Sequence, residues 1–190
     1  MSMIMKKKPP YNFIEEYRIS PEICDEFITY HKNNREYKCI GTYGQGTVDK
    51  AIKDSTDVVF YNQSQHPTAK VFFKELTNCL HHYRKKYLFD KHHRLWTAPE
   101  NMIQHYPKGG GYHLLHYERT GMYTLSRQLV YMLYCNTLKN GGTDFPFQKE
   151  IMKAEKGKLV IWPSDFTHPH RGVISQAEEK YIVTGWLEIV

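Results

Sequence analysis

The sequence predicts an α+β protein in which N-terminal helices buttress a strand-rich core of the β-sandwich or jelly-roll kind. Apolar residues recur at helical spacing only in the first half of the chain. After Pro99 the texture changes to short runs of Val, Ile, Tyr, Thr and Trp, punctuated by glycine and proline at 108–111, 140–142, Gly157 and Pro163. Size is the third observation: 190 residues with 41% apolar content suit one domain whose core needs no disulfide or structural metal.

Residues 1–19 read as a polar N-terminal lead segment, and 20–190 as the single domain, with helical support over about 20–98 and the strand-rich core over about 99–190. Ser20 is a good N-cap, Pro21 suits the first helical position, and Ile23, Phe27 and Ile28 share a face, so a helix runs to about Asn33. The three glycines of 41–46 lack the order of a dinucleotide fingerprint. Phe73, Leu76, Leu80, Tyr83 and Tyr87 then define a second helix over 68–87. Strands are expected at 101–106, 111–118, 127–136, 143–147, 158–162, 168–174 and 180–189.

The longest apolar run, seven residues from Leu129 to Cys135, is far short of the roughly 18 needed to cross a bilayer, so no membrane partner is expected. Lys6, Lys7 and Lys8 are followed by Pro9, Pro10, Tyr11 and Asn12 instead of an apolar stretch. That is not a signal peptide, and a cytoplasmic location is expected. Cys24, Cys39, Cys79 and Cys135 form no C-x-x-C pair and read as free thiols. A net charge of +6 permits a polyanionic partner such as nucleic acid without requiring one.

Chemistry concentrates around one triplet. About one His-x-Asp/Glu is expected by chance in such a chain, and His116-Tyr117-Glu118 is the one present. On an extended segment His116 and Glu118 project from one face as a chelating pair. A second histidine comes from the segment 162–172, where His168 and His170 both qualify by periodicity. Two imidazoles and a carboxylate make the facial triad of non-haem Fe(II) oxygenases, with coordination positions left open. There is no G-x-S-x-G elbow, P-loop or H-E-x-x-H. His81, His82, His92 and His93, amid Arg84, Lys85, Lys86, Lys91 and Arg94, read as a solvated basic face.

The stretch from Gln104 to Trp186 resembles the catalytic core of the Fe(II)/2-oxoglutarate dioxygenases, in the prolyl 4-hydroxylase branch. Its elements stand in the family's order: a Tyr- and Gly-rich turn (106–112), His116-Tyr117-Glu118, Tyr134-Cys135-Asn136, Gly141-Gly142-Thr143-Asp144-Phe145, Gly157 before a strand ending at Trp162, His170, Lys180 ten positions on, and Thr184-Gly185-Trp186. Glu118 stands where most of this branch has Asp.

The resemblance implies a double-stranded β-helix with iron on His116, Glu118 and His170, the last preferred to His168 because its basic partner falls at +10. It implies 2-oxoglutarate held by Lys180 with hydroxyl contacts from Tyr134 and Thr184 and with Tyr106 alongside. O2 would be cosubstrate and ascorbate the reductant. The expected reaction hydroxylates an unactivated C–H bond of a peptide, protein or small molecule, peptidyl proline foremost. The competing expectation is an inactive basic jelly-roll module that binds an anionic partner through residues 81–96.

Overall fold

A computed structural model describes residues 11–44, 46–87 and 94–189. Its elements run β1 (Glu15–Arg18), α1 (Pro21–Asn33), β2 (Lys38–Ile40), β3 (Thr56–Tyr61), α2 (Pro67–Lys86), β4 (Leu95–Thr97), β5 (Glu100–Tyr106), β6 (Arg127–Tyr134), β7 (Gly142–Phe145), β8 (Glu150–Lys153), β9 (Lys158–Pro163), β10 (Arg171–Val173) and β11 (Lys180–Ile189), with short 3-10 turns at Arg35–Tyr37 and Met122–Thr124. The strands form two antiparallel sheets. The major one has the order β1-β9-β6-β11-β5-β3-β2, with β4 also on β11, and the minor one is β10-β7-β8. This is the jelly-roll architecture expected from the sequence.

Period-two alternation gives the central strands two different faces. Leu129, Tyr131 and Leu133 of β6, Leu159 and Ile161 of β9, and Tyr181, Val183 and Leu187 of β11 pack under the helices, against Phe27 of α1 and Phe72, Leu76 and Tyr83 of α2. The intervening residues Val130, Tyr134, Val160, Trp162 and Ile182 turn the other way and meet Phe145 and Met152 of the minor sheet. One sheet therefore separates a helix-facing core from a barrel interior. Register holds the two faces together, with Ile182 opposite Tyr134 and Thr184 opposite Met132 and Met102.

Several expectations change. Residues 15–18, placed in the lead segment, form β1 on the edge of the major sheet beside β9. Its Glu-Glu-Tyr-Arg sequence carries no apolar period, yet Ile14 and Ile19 on either side are buried. The strands β2, β3, β4 and β8 were also unanticipated; three of them are only three or four residues long. Conversely, 111–118 is extended without being a ladder strand, because its backbone serves several partners in turn: Asp54 and Ile52, then Gly172, His170 and Ser164. The strand expected at 168–174 shrinks to Arg171–Val173. In α2 the buried stripe is Phe72, Leu76, Leu80 and Tyr83, with Phe73 only partly covered.

Gly142 shows how tightly the minor sheet closes. It sits at φ +131°, and a Cβ there would lie 1.9 Å from the Met152 carbonyl oxygen. Gly142→Ala is expected to lower stability by at least about 2 kcal/mol, from strain and backbone displacement together. Denaturant unfolding monitored by circular dichroism measures it; a midpoint like that of the wild type refutes the expectation.

Candidate active site

The His116–Glu118 segment and the start of β10 are held together by backbone. His116 N–H donates to the His170 carbonyl at 3.0 Å, and His170 N–H returns a bond to His116 at 2.8 Å. Glu118 N–H donates to Ser164 at 3.0 Å. These bonds bring the side chains of His116, Glu118 and His170 to one point, their ligand-type atoms all within 4.8 Å of one another. His116 Nε2 lies 3.5 Å and His170 Nε2 3.6 Å from the same oxygen, Glu118 Oε1.

Each imidazole is fixed by its other nitrogen. Nδ1 of His116 donates to the Leu114 carbonyl at 2.8 Å, and Nδ1 of His170 to the His168 carbonyl at 3.1 Å. A backbone carbonyl accepts only, so Nδ1 carries a proton in each ring, and Nε2, the nitrogen that faces Glu118, is the one left for a metal to take. Tyr112 stacks on His116 at 3.8 Å, and Trp162 meets His170 edge-on at 5.0 Å. The carboxylate is fixed as well: Trp186 Nε1 donates to Glu118 Oε2 at 3.0 Å, while Arg127 approaches that oxygen to 3.5 Å and lies over the Trp186 ring. Burial alone would raise the Glu118 carboxyl, but hydrogen bonds and charge from His116 and His170 outweigh it and hold the group well below the usual carboxylate range.

Two imidazole nitrogens and one carboxylate oxygen, with no thiolate in the cluster, match the donor preferences of a non-haem Fe(II) site. The extra methylene of Glu118 is accommodated, since one oxygen faces the histidines while the other is occupied by Trp186 and Arg127. His168, the rival ligand, turns away: its Nε2 bonds the Asn12 carbonyl at 2.8 Å and its Nδ1 meets the Thr167 hydroxyl at 2.9 Å. Neither it nor His113 belongs to the cluster.

The triad lines a cavity of about 470 Å³ shared with Tyr106, Thr143, Lys180 and Thr184. Lys180 is 7% exposed, and among the described residues its ammonium has no carboxylate partner; its neighbour is the Tyr106 ring, 4.7 Å away. Burial pushes the ammonium down to about 8. Thr184 donates its hydroxyl to the Tyr131 carbonyl at 3.0 Å. Tyr134 is placed behind the wall: its hydroxyl pairs at 2.6 Å with that of Thr143, which reaches the cavity in its stead. Sequence reasoning gave no role to Arg127, Gln104 or Lys53, which line the same cavity together with the 42–44 turn. Only position in the strand pattern could have flagged Gln104 and Arg127, and nothing local marks Lys53.

The sequence model of the 2OG-Fe(II) oxygenase superfamily matches residues 101–188, a span that encloses His116, Glu118, His170 and Lys180. Residues 101–188 belong to that superfamily. The chain thus carries a 2-oxoglutarate-dependent oxygenase domain. No curated protein matches the chain by sequence. Among solved structures, a viral collagen prolyl hydroxylase of Paramecium Bursaria Chlorella virus-1, in complex with 2OG, is similar with TM-score 0.68 at 19% identity over 94% of this chain and 97% of that one. A prolyl hydroxylase of Trichoplax adhaerens, in complex with a hypoxia inducible factor peptide fragment, gives 0.71 at 14% over 93% and 84%. A prolyl-4-hydroxylase of Pseudomonas putida gives 0.68 at 13% over 92% and 91%. At these identities the likeness establishes the fold of the oxygenase domain.

Outside that domain, His81 and His82 are exposed on α2, while Lys91, His92 and His93 lie outside the described residues, as do Lys6, Lys7 and Lys8. No helix among the described residues is long and apolar enough to cross a membrane.

Proposed function

We propose that the chain is an Fe(II)- and 2-oxoglutarate-dependent hydroxylase of unactivated C–H bonds, acting on peptidyl proline. The observation that carries this reading is the pairing, in one cavity, of three convergent ligand atoms with a buried, uncompensated Lys180. His116, Glu118 and His170 would hold the iron. Bound there, the metal supplies the dioxygen chemistry that couples decarboxylation of 2-oxoglutarate to succinate with hydroxylation of a substrate.

The protein's own contribution is orientation and charge. The locked tautomers present ring nitrogens without reorganisation. Lys180 offers a desolvated cation to the distal carboxylate, where a charge-assisted bond is strongest. Thr143 and Thr184 are its polar neighbours in the cavity, and Val130, Met132, Trp162 and Ile182 form an apolar wall that excludes water from the reacting end. Towards solvent the cavity is bounded by Tyr43, Tyr117, Thr120 and Thr124, next to the exposed Met122 and Tyr123. An open rim of that kind suits a polypeptide better than an enclosed small molecule, and one structural neighbour was solved with a peptide fragment. Ascorbate, as an external reductant, and a cytoplasmic setting complete the reading.

The test is succinate release, in the presence of Fe(II), ascorbate and 2-oxoglutarate, from a panel of proline-containing peptides and their Pro→Ala counterparts, with hydroxylation located by mass spectrometry. Release above background that requires proline, with the mass of one oxygen atom gained on that residue, is expected. Equal release from both sets refutes prolyl hydroxylation.

A further inference from the structure

The cavity wall contains a buried ionic network that none of the roles above employs. Lys53 and Asp57 are 4% and 5% exposed, and the Lys53 ammonium lies 2.9 Å from Asp57 Oδ2 and 3.2 Å from the Thr42 carbonyl. Ser55 donates its hydroxyl to Asp57 Oδ1 at 2.8 Å, and the Gln104 amide donates to Oδ2 at 3.1 Å. Tyr106 in turn donates to Gln104 Oε1 at 2.9 Å. The packing is close: a Cβ at Gly41 would sit 2.0 Å from the Ser55 hydroxyl.

These bonds have a direction. A carboxylate paired with an ammonium accepts only, so it draws the proton of Ser55 and the NH2 of Gln104 toward itself. What remains facing Tyr106 is then an acceptor, the Gln104 carbonyl oxygen. A phenol has one proton, and here it is spent inward. The Tyr106 ring meanwhile lies against the Lys180 ammonium, where its quadrupole attracts the cation.

We propose that Lys53 and Asp57 are positioning residues that act through Gln104 to fix the hydrogen-bond polarity of Tyr106, so that Tyr106 serves a ligand at Lys180 with its ring and not with its hydroxyl proton. The inference rests on the reading that a dicarboxylate binds at Lys180. It alters the part Tyr106 plays there: the phenol supports the cation from beneath and leaves donation to Thr143 and Lys180 itself. It also assigns a purpose to an ion pair that, as a stability element alone, would be dispensable in favour of apolar packing.

The test measures Tyr106→Phe in two backgrounds by calorimetric titration of Mn(II)-loaded protein with 2-oxoglutarate under anaerobic conditions. In the native background the affinity should change by no more than about twofold, since no ligand bond is lost. In the Lys53→Met/Asp57→Asn background no charge is left unpaired, and the amide introduced at position 57 can turn its NH2 to Gln104 while its carbonyl keeps the bond from Ser55. Gln104 then reverses, facing the phenol with its NH2, and the Tyr106 proton turns to the ligand, so the same substitution should weaken binding about tenfold, the worth of a bond to a charged group. A merely structural pair would shift the unfolding midpoint without making the effect of Tyr106→Phe depend on background. A tenfold loss in the native background, or equal effects in both, overturns the proposal; should the paired substitution fail to fold, the native-background result still decides. If native protein takes up no 2-oxoglutarate at all, the dicarboxylate reading itself fails and the proposal with it, an outcome distinct from either pattern.

Discussion

His170→Ala should abolish metal-dependent turnover and weaken Mn(II) or Fe(II) binding by at least about a hundredfold, beyond the effect usual for a group that merely supports a ligand. The protein should nevertheless stay folded, because the contact between His170 and His116 that closes the barrel is made by backbone, with bonds of 2.8 and 3.0 Å that alanine retains. Calorimetric metal titration beside thermal unfolding separates the two effects. His168→Ala is the sharpest companion: that ring is bound to Asn12, so metal affinity should stay within severalfold of wild type. Were His168→Ala to lose the metal and His170→Ala to keep it, the ligand set would be wrong.

Lys180→Met should raise the 2-oxoglutarate requirement by about a hundredfold or more while making the ligand-free protein more stable. Burial lowers the Lys180 ammonium from 10.5 to about 8. Between those values the folded chain binds fewer protons than the unfolded one, so stability rises with pH across that window and is at its lowest below pH 8, where a desolvated cation must be kept charged. The gap corresponds to roughly 3 kcal/mol at neutral pH, which a bound dicarboxylate offsets and a methionine never incurs. The same titration sets the pH limb of binding: affinity for the dianion should hold below about pH 8 and fall as pH rises through it. Thermal unfolding with and without 2-oxoglutarate, at pH 7 and 9, checks both parts. A Lys180→Met protein that melts lower than wild type, or binds the dicarboxylate equally well, contradicts them.

The elements that the sequence revealed are those in which periodicity and burial coincide. In β5, β6, β9 and β11 nearly every side chain is enclosed, so runs such as Leu129 to Tyr134 read as strands at once. Edge strands escaped notice because a four-residue segment with three charges, like β1, is stabilised by its neighbour and not by its own pattern. The choice between His168 and His170 could not be made from spacing. In space a bend sends the His168 ring to Asn12 and the His170 ring to Glu118. Tyr134 faces the barrel as its strand parity demands, yet Thr143, on a different sheet, stands in front of it. Asp57 was invisible for a related reason: Gln104, the group that connects it to the cavity, lies 47 residues away in sequence.

The two-faced register of β11 also bears on how this chain can change over generations. Lys180, Ile182, Thr184 and Trp186 line the cavity, while Tyr181, Val183 and Leu187 lie under the helices. Loss or gain of one residue in that strand would exchange the two sets at a stroke, burying the cation among Phe27 and Phe72 and offering bare hydrocarbon to the cosubstrate. Substitutions there are bound by the same parity. The 42–44 turn and the 120–125 connection touch the cavity without belonging to a shared ladder, so they are freer to lengthen, shorten and diversify. A lineage of such proteins would keep one reagent and one reaction while its loops explore new substrates, much as a fixed tool head accepts interchangeable jigs.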